Sequence, residues 1–157
     1  MKKGIVALVG LSVFLIMCTG HIEIESEKVA VKALLEESIS ATEDEDMDRL
    51  AATFAQDDDL LFVDLPTDKD TKGWPDLKAM FERQFEKYSD VDFKQTGLTI
   101  NVSKDRQLAW CVYFCDFTAK MGDLPVDQSG ARITYVFEKR DGKWLIVHFH
   151  YSVGRKQ

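Results

Sequence analysis

The chain is short of the residues that punctuate and staple a fold. It has three prolines and nine glycines in 157 residues, and no Pro/Gly-rich linker, internal repeat or low-complexity tract divides residues 21–157. One domain is expected there. Basic residues are outnumbered, 20 against 27 acidic, for a formal charge of −7. That balance argues against nucleic acid as the partner. Long apolar runs are missing too. The longest spans Ile5 to Met17, about thirteen residues where a membrane-spanning helix needs about twenty.

That run follows Lys2-Lys3 and is succeeded at once by Glu-rich sequence, the pattern of an export leader over residues 1–20. Two cleavage modes stay open. Leu15-Ile16-Met17-Cys18 resembles a bacterial lipobox, which would make Cys18 a lipidated N-terminus. A cut after Gly20 would instead release a mature chain starting at His21. Either route removes Lys2 and Lys3 and takes the charge from −7 to −9. The expected location is the bacterial cell envelope, either lipid-anchored or periplasmic/extracellular, with a lipid anchor as the sole membrane contact.

The chain has three cysteines, and after export Cys111 and Cys115 remain in one strand, four residues apart. At ~3.3 Å per residue their Cα atoms lie about 13 Å apart, beyond the ~7 Å a disulfide tolerates. They read as free, buried thiols on one face.

Helical spacing over Ser26–Ala41 and the stripe Met47, Leu50, Ala51, Phe54 predict two helices, with Asp44 or Asp46 capping the second. Leu60–Leu65 reads as a short strand. Pro75 opens a third helix carrying Leu77, Phe81, Phe85 and Tyr88. Four strands follow, at about Val91–Val102, Leu108–Lys120, Gly130–Arg140 and Trp144–Val153. The order predicts an α+β fold with the helices gathered on one face of an antiparallel sheet. Lys139-Arg140-Asp141-Gly142 suits a type I turn closed by a glycine bulge, with Lys139 opposite Lys143. That register places Tyr135 opposite Val147 and Arg132 opposite His150. One face then holds Ile133, Tyr135, Phe137, Leu145, Val147, Phe149 and Tyr151. The other holds Arg132, Thr134, Val136, Trp144, Ile146, His148 and His150. Both are substantially apolar, so helices should cover one and a second copy of the chain the other.

Asp141–Ser152, preceded by Arg132-Ile133-Thr134, resembles the end of SnoaL-like domains of the nuclear-transport-factor-2-like superfamily. It is especially similar to the association domain of calcium/calmodulin-dependent kinase II. Asp46–Pro66 and Gly73 fit the same pattern. The resemblance implies a cone of three helices on a strongly curved sheet, enclosing a cavity. Phe54, Phe62, Phe81, Phe85, Tyr113, Cys115, Tyr135, Phe149 and Tyr151 would line it. The arginines of the kinase domain are matched by Cys115, Tyr135 and Tyr151, so a neutral cavity for an apolar or aromatic ligand is implied. Ketosteroid isomerase and polyketide cyclases are enzymatic relatives, and Asp64 falls at the position of the isomerase's general base. The isomerase's helix tyrosine is matched by Ser38 and its acidic partner by Tyr135.

Three readings therefore stand. The first is a non-catalytic exported module that dimerises through Arg132, Thr134, Trp144, His148 and His150 and binds a small apolar ligand. The second is an isomerase-, cyclase- or hydrolase-like enzyme with Asp64 as general acid/base. The third is a pure assembly domain with a filled cavity. No cofactor is expected. His148 and His150 offer two nitrogens on one strand face but lack a third ligand, so no metal is expected either.

Overall fold

The computed structural model describes the backbone of residues 6–63 and 70–154, and the side chains of residues 23–63 and 70–154. Asp64 and the side chain of Cys18 lie outside that set. Helix α1 runs Val6–Glu43, α2 Met47–Ala51 and α3 Trp74–Lys87; the strands are β1 Leu61–Val63, β2 Thr71–Lys72, β3 Ser89–Val102, β4 Leu108–Met121, β5 Leu124–Arg140 and β6 Lys143–Ser152. Among the described residues no helix is long and apolar enough to cross a membrane.

Local chemistry explains the breaks between elements. Asp46 caps α2, its carboxylate accepting the Arg49 N–H at 3.0 Å, which satisfies one of the donors a helix start leaves orphaned. Pro75 occupies the first turn of α3, where its missing N–H costs nothing. Gly73 precedes it at φ 81 and ψ 152, a region essentially reserved for glycine. Its N–H donates to the Leu60 carbonyl at 2.8 Å, and Trp74 N–H to Asp57 at 3.0 Å. These bonds pin the start of α3 to the entry of β1.

The α+β cone is as expected, helices on a curved six-stranded sheet of order β2-β1-β6-β5-β4-β3. The sheet is mixed rather than antiparallel throughout, because β1 pairs parallel with β6, Phe62 opposite Phe149. Strand β5 also begins at Leu124, upstream of the expected Gly130. Gly130 is crossed at φ 72, where β4 and β5 shift register between Cys115 and Phe117.

The last hairpin departs from the expected register. Asp141 and Gly142 both have positive φ, 50° and 79°, and Arg140 pairs with Lys143. This is a two-residue type I′ turn, whose twist matches that of the strands it joins. Phe137 therefore faces Ile146; a bulge at Val147 then advances the register, so that Val136 faces His148 and Tyr135 faces Phe149. The alternation of faces switches at the bulge. Trp144 and Ile146 thus belong with the core, at 7% and 0% exposure, not on the outer face where a continuous alternation puts them. Leu145 and Val147 move outward in exchange.

The core lies between the helices and the concave sheet face. Val31 and Leu35 of α1, Leu50 of α2 and Leu77 of α3 are fully buried against Cys111, Phe137 and Ile146. Polar ties help dock α1. Glu43 accepts the Phe93 backbone N–H at 2.9 Å. Glu27 accepts Trp144 Nε1 at 2.8 Å and Lys139 Nζ at 2.5 Å.

Candidate functional site

The expected cavity lining comes together from five elements. Phe62 of β1 stacks on Phe149 of β6 at 4.2 Å between centroids, held there by the parallel pairing that sets them side by side. Tyr135 meets Phe149 edge to face at 4.7 Å and lies nearly parallel to Tyr113 at 6.3 Å. Phe81 of α3 contacts Phe62 and Phe54, each at 6.0 Å, and Phe85 at 6.2 Å. Phe85 and Tyr151 are partly buried at its margin. Ring pairs of this kind contribute about 0.5–1.5 kcal/mol each beyond their area. Within the described residues, rings fill much of the space between α3 and the sheet.

The pole of this cluster toward β3 and β4 is polar. Cys111, Tyr113, Cys115 and Tyr135 are buried there. Burial pushes the Cys111 thiol up to about 12 and the Cys115 thiol up to about 11. It raises both phenols as well. All four groups are protonated at neutral pH. Gln95 sits opposite Cys115 across the β3–β4 pair. Its amide approaches the Tyr113 phenol, which lowers that group's pKa against the effect of burial. Yet Gln95 Nε2 is buried with no hydrogen bond of good geometry, a condition that costs about 1–3 kcal/mol. Gln95 escaped the sequence reading; the inward alternation of Phe93 and Gln95 on β3 was the signal for it.

Ser38 is buried in α1. Besides these phenols and thiols and the Gln95 amide, the buried polar residues among the described ones are Ser38 and Thr53, so no described carboxylate is buried beside the rings. Among the described residues no cluster of His, Cys, Asp and Glu could hold a metal ion.

On the convex face, β4 presents Leu108, Trp110, Val112 and Phe114, exposed by 46%, 43%, 45% and 50%. They stand opposite Glu138, Val136, Thr134 and Arg132 of β5. His148 and His150 extend the face onto β6, opposite Val136 and Thr134. Burial holds the His148 pKa below its usual value, although a hydrogen bond with the Leu61 backbone opposes this. Four of the five expected interface residues share this face; Trp144 does not. At one end of it a groove of about 250 Å³ is lined by Ala55, Asp57, Asp59, Leu60, Leu108, Glu138, Arg140 and Val147. Arg140 bonds Glu138 at 2.6 Å and also Asp57.

Comparison with known proteins agrees with this architecture. The family model described as SnoaL-like domain matches residues 31–156. A nuclear-transport-factor-2-like superfamily protein from Salmonella enterica superposes with TM-score 0.75 at 18% identity, over 84% of this chain and 94% of that one. A Xanthomonas campestris protein, provisionally named a calcium/calmodulin-dependent protein kinase II association domain, gives TM-score 0.67 at 25% identity, over 81% and 87%. A Streptomyces avermitilis protein of the same superfamily, provisionally named a dehydratase, gives 0.74 at 14%, over 84% and 99%. No curated protein matches the sequence.

Proposed function

The chain belongs to the SnoaL-like domain family, and from that premise we propose that it is a non-catalytic module that forms a homodimer through its convex sheet face. The observation that carries this is the unbroken row Leu108, Trp110, Val112 and Phe114, each more than two-fifths exposed. A contiguous apolar row on a sheet face is costly to leave in water and marks an interaction site. The matching row of β5 and β6, with Thr134, Val136 and His148, supplies the mixed polar and apolar texture of a homodimer interface. Sedimentation velocity tests it. The wild-type protein should run as a dimer at micromolar concentration, and Trp110→Glu with Phe114→Glu should run as a folded monomer. A wild-type monomer overturns the reading. Replacing His148 and His150 together by alanine should weaken the same dimer.

Inside the cone, the buried Gln95 amide, close to the Tyr113 phenol yet without a well-formed hydrogen bond from its nitrogen, supports binding of a small, uncharged, largely apolar ligand with one hydrogen-bond acceptor. Native mass spectrometry of protein from the cell envelope would detect such a ligand, and Gln95→Leu should release it. The enzyme alternative rests on Asp64, and its test is loss of a measured turnover in Asp64→Asn. The relatives provisionally named as a dehydratase and an aromatic ring hydroxylase lend that alternative no residue of this chain. Export belongs to the same proposal, supported by the Lys2-Lys3 start and the apolar run to Met17. Mass spectrometry of the mature N-terminus separates acylated Cys18 from a free His21.

A further inference from the structure

We propose that the two copies pair with their β5 strands running in opposite directions, so that Arg132 of each enters the acidic groove of the other. This rests on the homodimer reading above. It adds the direction of pairing and a binding role for the groove.

The exposed row has a centre. Leu108 and Phe114 mark its ends, opposite Glu138 and Arg132, and its midpoint is Cys111 opposite Tyr135. Arg132 and Glu138 thus lie on the same face, three residues to either side of the midpoint, about 10 Å each way at ~3.3 Å per residue. The two ends differ in charge. At one, Arg132 is exposed and makes no ion pair among the described residues. At the other, the groove carries Asp57, Asp59 and Glu138 against the single cation Arg140, an excess of carboxylate.

Two sheets packed face to face by a two-fold symmetry have their axis in the plane between them, and aligned packing leaves two choices. An axis along the strands gathers both arginines at one end and both acidic grooves at the other. Like charges placed together in this way oppose association. An axis across the strands lays β5 on the partner's β5 with its direction reversed. Phe114 then lies over Leu108 of the partner subunit, and Arg132 over Glu138 of the partner subunit. The contact occurs twice per dimer, and Leu108, which belongs to both the apolar row and the groove, makes the two surfaces continuous.

The experiment uses charge reversal with mixing. Arg132→Glu and Glu138→Arg are each purified as full chain, checked by circular dichroism, and measured by sedimentation equilibrium alone and as an equimolar mixture. Each variant alone faces like charge twice, so its dimer dissociation constant should rise about ten-fold or more. In the mixture both contacts have opposite charges again, so a heterodimer should form within about three-fold of the wild-type constant. Two results overturn the proposal while leaving the homodimer standing: single variants that dimerise like wild type, or a mixture no tighter than its components. A monomeric wild type overturns the homodimer reading itself. Because the mixture regains affinity only if both variants are folded, misfolding of Glu138→Arg is distinguished by its circular dichroism and answered with Glu138→Gln, which should weaken the dimer less.

Discussion

Replacing Glu27 by alanine should cost about 1–3 kcal/mol of folding stability. Glu27 of α1 accepts the Trp144 indole N–H at 2.8 Å and the Lys139 ammonium at 2.5 Å, and so fastens the first helix to both strands of the last hairpin. Trp144 is 7% exposed, so without Glu27 its N–H has little access to water, and leaving such a donor unsatisfied costs about 1–3 kcal/mol. The Lys139 and Glu27 side chains are 21% and 17% exposed. The ammonium can therefore turn toward solvent, and loss of the ion pair adds less than about 1 kcal/mol. Alanine's better helix propensity returns a few tenths, roughly. Glu27→Gln keeps an acceptor for the indole and should cost less than half as much. Urea unfolding followed by tryptophan fluorescence, at one fixed protein concentration, measures all three proteins. An alanine variant within about 0.5 kcal/mol of wild type would refute the reasoning, as would a glutamine variant equally destabilised. The effect also depends on pH. The Lys139 hydrogen bond, aided by Trp144, lowers the Glu27 pKa against the opposing influence of burial. A carboxylate depressed in the folded state stabilises fully above its unfolded value of about 4.3 and loses that contribution as the pH falls below it. The gap between wild type and alanine variant should therefore narrow in acid.

Other outcomes follow from single features. Cys111 and Cys115 are buried and unpaired, with thiols pushed up to about 12 and about 11. Both should resist thiol reagents at pH 8 in the native protein and react promptly in denaturant; rapid native labelling would contradict their burial. Gly73→Ala should destabilise by about 1–3 kcal/mol, since φ 81 with ψ 152 is unfavourable for any side chain. The new Cβ would also meet the Asp58 carbonyl at 3.4 Å. A melting temperature equal to wild type would show that the α3 entry relaxes freely.

Local rules carried most of the fold. Helical spacing marked α2 and α3, Asp46 and Pro75 marked their starts, and strand alternation marked β3 to β6, because each signal depends on near neighbours in the chain. The run from Asp141 to Ser152 pointed to the family. What the residues could not settle locally was the register of the last hairpin. Asp141-Gly142 serves either a type I′ turn or a bulged type I turn, and one residue decides which side chains face inward. The structure has the type I′ turn and places the bulge at Val147, where Thr53–Ala55 bonds alongside Ile146. Trp144 thereby left the expected interface for Glu27. Gln95 became part of the interior only once β3 was laid against Cys115. Chemistry that depends on a residue's nearest neighbours along the chain was written in the sequence; which side chains meet across strands was decided by long-range pairing.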